Sequence, residues 1–118
     1  MQTFRFLDFT VYQDSKKFYK IVVGVTEKFP GIHKDLVRQL IRAVLSISLN
    51  ISEGSAKKSD KDFNRYIENA LGSVNESIAA LDIAFDNKLI AINSFNELKE
   101  LGENIAKQLG GLSKRLKS

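Results

Sequence analysis

Five polar residues lie at helical spacing within the most apolar segment of the chain, and their side chains are the ones best placed to do chemistry. At 100° per residue they fall within about 80° of one another, and they are Gln39, Arg42, Ser46, Asn50 and Glu53. Polar groups in so apolar a setting need hydrogen-bond partners. The strip predicts either an interhelical hydrogen-bond network that fixes helix register or a ligand or catalytic groove, and we favour the network.

Two carboxylates farther along the chain, Glu68 and Glu76, are predicted to join this network. If the chain folds back at residues 55–59, Arg42 lies across an antiparallel helix pair from the stretch 68–76. Carboxylates on helices can act as acids or bases, but they more often pair with Arg or Lys. We therefore predict that Arg42 pairs with Glu68 or Glu76.

Residue types that catalysis and metal binding require are scarce in this sequence. It has no Cys and one His, His33, which follows the Pro30-Gly31 turn. Zinc sites of the usual His/Cys type, di-iron Glu-x-x-His pairs and the Gly-x-x-x-x-Gly-Lys-Ser/Thr phosphate loop are all missing. Ser46 and Ser73 have no nearby His that could act as a base. We expect a protein without metal or cofactor that is not an enzyme.

Length and composition are typical of one all-α domain spanning residues 1–118. Apolar residues make up 43% of the chain, which is enough for a packed core, and one Pro with seven Gly leaves little turn chemistry for a β fold. The longest apolar-rich uncharged stretch, residues 43–52, is far shorter than the ~20 residues of a membrane span. The N-terminus shows no signal peptide, and the absence of Cys suits a reducing compartment. We expect a soluble cytoplasmic protein without a membrane partner.

Apolar residues recur at steps of three and four in four segments, which is the period of a helix face. The predicted helices span about residues 9–29, 33–53, 60–87 and 94–116. Four amphipathic helices with short connections predict an all-α fold, an antiparallel up-down-up-down four-helix bundle.

Local signals set the predicted helix ends. Gly54 follows the second helix at the position of a left-handed cap. Two Ser residues predict capping boxes with an acidic residue three positions later; these are Ser59 with Asp62 and Ser94 with Glu97. Gly72-Ser73 lies in the middle of the third helix, where glycine costs about 1 kcal/mol relative to Ala. A close helix crossing at that point would explain the cost.

The second predicted helix is apolar on two faces. One stripe contains Leu36, Leu40, Val44, Ile47 and Ile51. The other contains Val37, Ile41, Leu45 and Leu49. A helix in a lone four-helix bundle buries about one stripe, so a second stripe indicates burial against another subunit. We predict a homo-oligomer with the second stripe at its interface; a wider apolar face within a monomer is the alternative.

The predicted topology collects basic residues where the N-terminus, the turn between the second and third helices, and the C-terminus meet. This set is Arg5, Lys57, Lys58, Lys61, Arg65, Lys114, Arg115 and Lys117. Four acidic residues share the end and leave an excess of about four positive charges; they are Asp8, Glu53, Asp60 and Asp62. In a cyclic oligomer with parallel subunits these ends form one rim that attracts the phosphates of RNA or DNA. Lysines that merely solvate the surface are the alternative.

Short motifs in and around the second and third helices carry a family resemblance. They are Phe29-Pro30, Gln39-Leu40-Ile41-Arg42-Ala43, Ser46-Ile47, Asn50-Ile51-Ser52-Glu53-Gly54, Ser59, Phe63, and Ala70-Leu71-Gly72-Ser73 with Glu76. The pattern resembles the four helix bundle protein family, whose founders are encoded in intervening sequences of bacterial large-subunit ribosomal RNA genes. The resemblance covers nearly the whole chain.

This resemblance implies a left-handed four-helix bundle and, as in related proteins, a ring of five subunits. A related branch serves as accessory proteins to the reverse transcriptases of diversity-generating retroelements, which implies contact between a basic ring surface and nucleic acid. Two functions remain open on the sequence. One is an RNA-associated accessory protein, although no aromatic ladder for single strands is evident. The other is an interaction scaffold that binds a protein partner and has no nucleic-acid role.

Overall fold

The computed structural model describes residues 3–118, and within that range the chain forms helices and no strand. The four long helices are α1 (Thr10–Thr26), α2 (Lys34–Ser55), α3 (Asp60–Asp86) and α4 (Ile92–Lys117). A 3₁₀ turn at Arg5–Asp8 precedes α1, and another at Gly31–His33 precedes α2. The predicted all-α fold with four helices is confirmed. No helix in residues 3–118 combines the length and apolar composition needed to cross a membrane.

The end of α1 differs most from its predicted position. The helix stops at Thr26, and the N–H of Phe29 donates to the Thr26 carbonyl at 3.0 Å in the turn that follows. Pro30 disfavours helical geometry in the residue before it, so the chain leaves the helix ahead of Phe29.

Consecutive helices run antiparallel. In each bonded pair, one residue precedes the connection between the two helices by about as many positions as the other residue follows it. The bonded side-chain pairs are Ser15–Ser48 at 2.8 Å, Ser46–Ser73 at 2.9 Å and Asn64–Ser113 at 2.6 Å. The first and last helices also touch, since Gln108 Nε2 donates to Asp14 Oδ2 at 2.8 Å. This contact closes the bundle.

The core is built from one apolar stripe of each helix, as the helical period predicts. Its largest fully buried side chains are Phe18, Val22, Leu40, Val44, Ile47, Ile51, Ile67, Leu81, Leu98, Ile105 and Leu109. Every buried side-chain nitrogen and oxygen between residues 3 and 118 has a hydrogen-bond partner. The core therefore includes polar groups without leaving any of them unsatisfied.

Gly54 lies inside α2, so its predicted role as a left-handed cap is wrong. The helix continues to Ser55, and no glycine in the described range has a positive φ. A Cβ on Gly54 would lie 2.8 Å from Tyr66 Cβ and 2.9 Å from Phe63 Cδ1. Glycine is needed here because α3 comes very close to α2.

The close crossing predicted at Gly72-Ser73 is likewise wrong for Gly72. That residue is exposed, and a Cβ on it would meet nothing within 4 Å. The close contact of α3 with α4 lies instead at Gly102, where a Cβ would come 2.7 Å from Ile78 Cδ1. Ser73 does reach α2 through its hydroxyl bond to Ser46.

The two predicted capping boxes have different outcomes. Ser59 Oγ accepts a hydrogen bond from the Asp62 N–H at 3.1 Å, so Ser59 caps α3. The box of Ser94 and Glu97 is wrong, because α4 begins two residues earlier with Ala91 as an N-cap that makes no side-chain bond. Near this start, Phe95 of α4 stacks on Phe85 of α3, with ring centroids 5.4 Å apart.

The end of α3 is a tight turn with Lys88 at a φ of 60°. The N–H of Leu89 donates to the Ala84 carbonyl and that of Lys88 to the Phe85 carbonyl, both at 2.9 Å. This is a Schellman arrangement, in which glycine is the usual left-handed residue. Lysine takes that place here, which is why no glycine marks this helix end in the sequence.

Candidate nucleic-acid interface

Hydrogen bonds between distant segments bring the predicted basic residues to one end of the bundle, called here the basic end. Arg5 donates from Nε and Nη2 to the carbonyl of Ser55, the last residue of α2, at 3.2 and 3.0 Å. Near the end of α4, Ser113 donates to Asn64, which lies in the second turn of α3. The N-terminal segment, the α2–α3 turn and the C-terminal segment therefore meet there.

Five cations of the basic end are exposed and form no ion pair within residues 3–118. They are Lys58, Lys61, Lys114, Arg115 and Lys117. A phosphate oxygen can contact these side chains without first displacing a carboxylate.

Arg5 has a structural role at this end in addition to the nucleic-acid contact that the sequence predicts for it. Besides bonding the Ser55 carbonyl, its guanidinium carbon lies 5.4 Å from the ring centre of Phe63 and 5.9 Å from that of Phe9. The last carbonyls of a helix lack helical donors, and a cation there also complements the helix dipole. Arg5 therefore caps α2 and holds the N-terminal segment onto the bundle.

The ring of Tyr66 contacts two more cations of the basic end. Lys57 Nζ lies 5.1 Å and Arg65 Cζ 5.5 Å from the centre of its ring, distances at which a cation is attracted to the ring face. Arg65 also has Asp62 within 3.8 Å. The helical pattern places Tyr66 beside the core, and only the fold of the α2–α3 turn reveals this contact.

The polar strip of α2 forms a smaller network than predicted. Asn50 Nδ2 donates to the carbonyl and the hydroxyl of Ser46 at 2.9 and 3.0 Å, and Ser73 donates to the same hydroxyl. Three other members, Gln39, Arg42 and Glu53, are exposed and make no side-chain hydrogen bond within the described chain. The strip faces water beside α3; only Ser46 makes the predicted interhelical bond, and Asn50 bonds Ser46 within α2.

The predicted pairing of Arg42 with Glu68 or Glu76 is wrong. Arg42 and Glu76 both line an open groove between α2 and α3, yet no ion pair within 4.0 Å joins Arg42 to an acid in residues 3–118. Glu68 accepts from Asn64 of its own helix at 3.1 Å. An exposed pair gains only about 0–1 kcal/mol, which does not hold two long side chains in one geometry.

The second apolar stripe of α2 is partly open to solvent. Leu45 is 40% and Leu49 is 57% exposed, whereas Val37 and Ile41 are half-buried. This surface, called here the apolar stripe, is the predicted oligomer interface. Other residues of the same subunit bury it only in part.

An open cleft of about 470 Å³ lies between the first turn of α1 and the last turns of α4. Its lining is Phe9, Thr10, Val11, Lys107, Gln108, Gly111, Leu112 and Arg115. Among these, only Arg115 is a candidate site residue predicted from the sequence. The lining comes from opposite ends of the chain, so no local motif could have shown the cleft. No group of three His, Cys, Asp or Glu side chains suited to a metal ion occurs between residues 3 and 118.

The structure is that of a small all-α protein, a closed bundle of four antiparallel helices with a basic end and a partly exposed apolar stripe. Residues 7–111 match the model of the 23S rRNA-intervening sequence protein family, so the chain belongs to that family. The resemblance carried by the α2 and α3 motifs is thereby confirmed.

One solved relative shows the same fold. It is the crystal structure of a protein with unknown function from the S23 ribosomal protein family of Bacteroides thetaiotaomicron VPI-5482. The two chains are 24% identical and superpose with a TM-score of 0.82 over 88% of this chain and 95% of that chain. No curated protein sequence matches the chain.

Proposed function

We propose that this protein is a non-enzymatic homo-oligomer that binds RNA or other nucleic acid through the basic end. The observation that supports the proposal most is the grouping of five exposed, unpaired cations from the α2–α3 turn, α3 and α4. Lys and Arg that neutralise phosphates release counterions from the nucleic acid. This release supplies most of the affinity in sequence-independent binding, so the basic end needs no base-specific contact to function.

Self-association would strengthen binding at the basic end. The exposed leucines of the apolar stripe, Leu45 and Leu49, are the surface we propose for contact with a second subunit. In a ring of parallel subunits, five of which the family resemblance implies, the basic ends share one rim. A strand that touches several ends gains avidity without any new type of contact.

A salt series measured by fluorescence anisotropy tests the proposal with structured RNA, single-stranded RNA and duplex DNA. We expect binding that weakens steeply as salt rises from about 50 to 200 mM. The triple variant Lys58→Glu, Lys114→Glu, Lys117→Glu should bind more than about tenfold more weakly, and its salt slope should fall by about one for each lost phosphate contact.

The matched control reverses three exposed lysines away from the basic end. These are Lys28, Lys34 and Lys99, and their change to Glu alters the net charge of the protein by the same amount. The control should retain most of the affinity, because its charges lie more than a screening length from the basic end. Equal losses in the two triple variants, or no binding at the lowest salt, would contradict the proposal.

A protein-interaction scaffold is the second candidate, and the exposed apolar side chains favour it. Besides the apolar stripe, Ile83 of α3 and Ile92 of α4 are 51% and 50% exposed. A scaffold would bind its protein partner equally well after charge reversal at the basic end. It would lose the partner when Leu45 or Leu49 is changed to Asp.

The proposal also gives the polar strip no catalytic role. Arg42 and Glu53 are exposed, and Asn50 is engaged by Ser46. Conversion of a small molecule that depended on any of these three residues, in a variant with an intact fold, would overturn the non-enzymatic assignment.

A further inference from the structure

The cleft between α1 and α4 reaches the basic end, because Arg115 belongs to both. We infer that this cleft is a subsite for one unpaired nucleotide, with its base in the apolar part and its phosphate on the cations. The inference rests on the proposed nucleic-acid binding and specifies the form of nucleic acid that the site prefers.

The cleft has the size and walls that a nucleobase needs. Its volume of about 470 Å³ lies within the roughly 300–1,000 Å³ of small-ligand sites. Phe9, Val11 and Leu112 supply apolar surface, while Thr10 and Gln108 supply polar groups at the edge. An apolar pocket with a few polar groups at its margin is the usual architecture for a planar, partly polar ligand.

Two cations flank the cleft along one face of α4. Lys107 and Arg115 are each four residues from Gly111, so the three lie in a row on the helix surface. Both cations are exposed and form no ion pair within the described residues. A phosphate attached to a base in the cleft can therefore contact either of them.

Gly111 keeps the space between these cations open. A Cβ built on it would approach only Arg115 Nη1, at 3.9 Å, so packing does not exclude a larger residue there. Gly110, the preceding residue, is exposed, does not line the cleft and has open space around it. The two glycines thus provide neighbouring positions that differ in whether a side chain would fill the cleft.

Asp14 of α1 is a carboxylate that bonds one residue of the cleft lining, Gln108. It accepts from Gln108 Nε2 at 2.8 Å and from Asn104 Nδ2 at 3.5 Å. The bond at 2.8 Å holds Gln108 against α1 and leaves Gln108 Oε1 to accept from a base. Lys107 and Arg115 are the charged residues of the lining itself, so the lining carries a net positive charge.

A single cleft of this kind accepts a base only when that base is unpaired. A duplex presents its phosphates to the basic end but keeps its bases stacked inside the helix. The protein should therefore bind single-stranded RNA, or RNA with a bulge, more tightly than a duplex of equal length. One cleft per subunit also agrees with a sequence that has no aromatic ladder for consecutive bases.

The test compares Gly111→Leu with the control Gly110→Leu. The probes are a fluorescein-labelled single-stranded RNA of about twelve nucleotides and a duplex RNA of the same length. We expect Gly111→Leu to bind the single strand about tenfold more weakly than the unchanged protein does, as loss of one stacked base implies. Its affinity for the duplex should be unchanged, and Gly110→Leu should match the unchanged protein on both probes.

Circular dichroism and oligomer mass check that both variants keep the fold. Leucine is a better helix former than glycine, so neither change should unfold α4. Single-strand binding that is insensitive to Gly111→Leu, with the salt dependence intact, overturns the cleft and leaves the proposed function standing.

A free mononucleotide carries the same base and phosphate as an unpaired nucleotide of RNA. Adenosine monophosphate is therefore tested as a separate probe. If no polynucleotide binds but the mononucleotide shifts the amide resonances of Gly111 and Leu112, and Gly111→Leu abolishes that shift, the cleft stands and the proposed function fails. If neither ligand binds, both are overturned.

Discussion

Individual glycines in this protein have opposite roles that only their surroundings distinguish. Gly54 and Gly102 allow neighbouring helices to approach within distances that no side chain permits, whereas Gly72 has open space around it. All three lie within helices, where glycine costs about 1 kcal/mol relative to alanine. That cost is offset by packing at Gly54 and Gly102 and is not offset at Gly72.

Changing Gly54 to Ala should therefore destabilise the fold. The new methyl group would lie 2.8 Å from Tyr66 Cβ and 3.2 Å from the Phe63 carbonyl oxygen, and overpacking of this kind costs about 1–3 kcal/mol. Gly72→Ala is the control and should stabilise the protein by about 0.5–1 kcal/mol. Urea unfolding at one fixed protein concentration measures both, and a Gly54→Ala variant as stable as the Gly72→Ala variant would refute the close approach of α3.

At the scale of helices, buried polar pairs fix how one helix lies along the next. Ser15 and Ser48 join α1 to α2, and Asn64 and Ser113 join α3 to α4. An apolar stripe alone tolerates a shift along the helix axis, but a buried donor and acceptor must meet. The register of the bundle therefore depends on these pairs as well as on the core.

Removing the Ser113 hydroxyl should test this dependence. Ser113→Ala leaves the buried Asn64 Oδ1 without the donor that lies 2.6 Å away, which should cost about 1–3 kcal/mol of unfolding free energy. Ser77→Ala is the matched control, because buried Ser77 donates only to the Ser73 carbonyl of its own helix. Similar costs for the two variants in thermal unfolding would argue that the interhelical bond adds nothing.

Over the whole molecule, charge is unevenly distributed along an axis 45 Å long. The basic end has eight cations against four acids, whereas the far end has Glu27, Asp35, Asp82, Asp86, Glu97, Glu100 and Glu103 against Lys28, Lys34, Lys88 and Lys99. A parallel ring would add the basic ends together, and an antiparallel dimer would cancel them. The proposed function therefore depends on the arrangement of subunits as well as on the subunit itself.

Light scattering measures that arrangement directly. A ring of five chains of 13.3 kDa has a mass of about 67 kDa, and Leu49→Asp should reduce it toward the mass of one chain, because a buried unpaired carboxylate is costly. Ile83→Asp is the control, since Ile83 is similarly exposed on α3 and lies outside the apolar stripe. A mass of 13.3 kDa for the unchanged protein would remove the oligomer from the proposal.

The parts of the fold that were predictable from the sequence are those encoded within one or two helical turns. Apolar periodicity predicted four helices and the core stripes, and Ser59 was recognised as the cap of α3. The start of α4 was not, because its N-cap residue, Ala91, makes no side-chain capping bond. The basic residues were found because the topology of the bundle follows from its short connections.

The sequence by itself determined the helices, the fold class, the family and the number of charges at each end. The tertiary structure decided which contacts the charged side chains make: Arg5 caps α2, Lys57 and Arg65 lie against Tyr66, and Arg42 has no acidic partner in the described chain. It also decided that a cleft exists between α1 and α4. Helix formation depends on neighbours three and four residues away, whereas these contacts depend on distances between segments that only the packed bundle brings together.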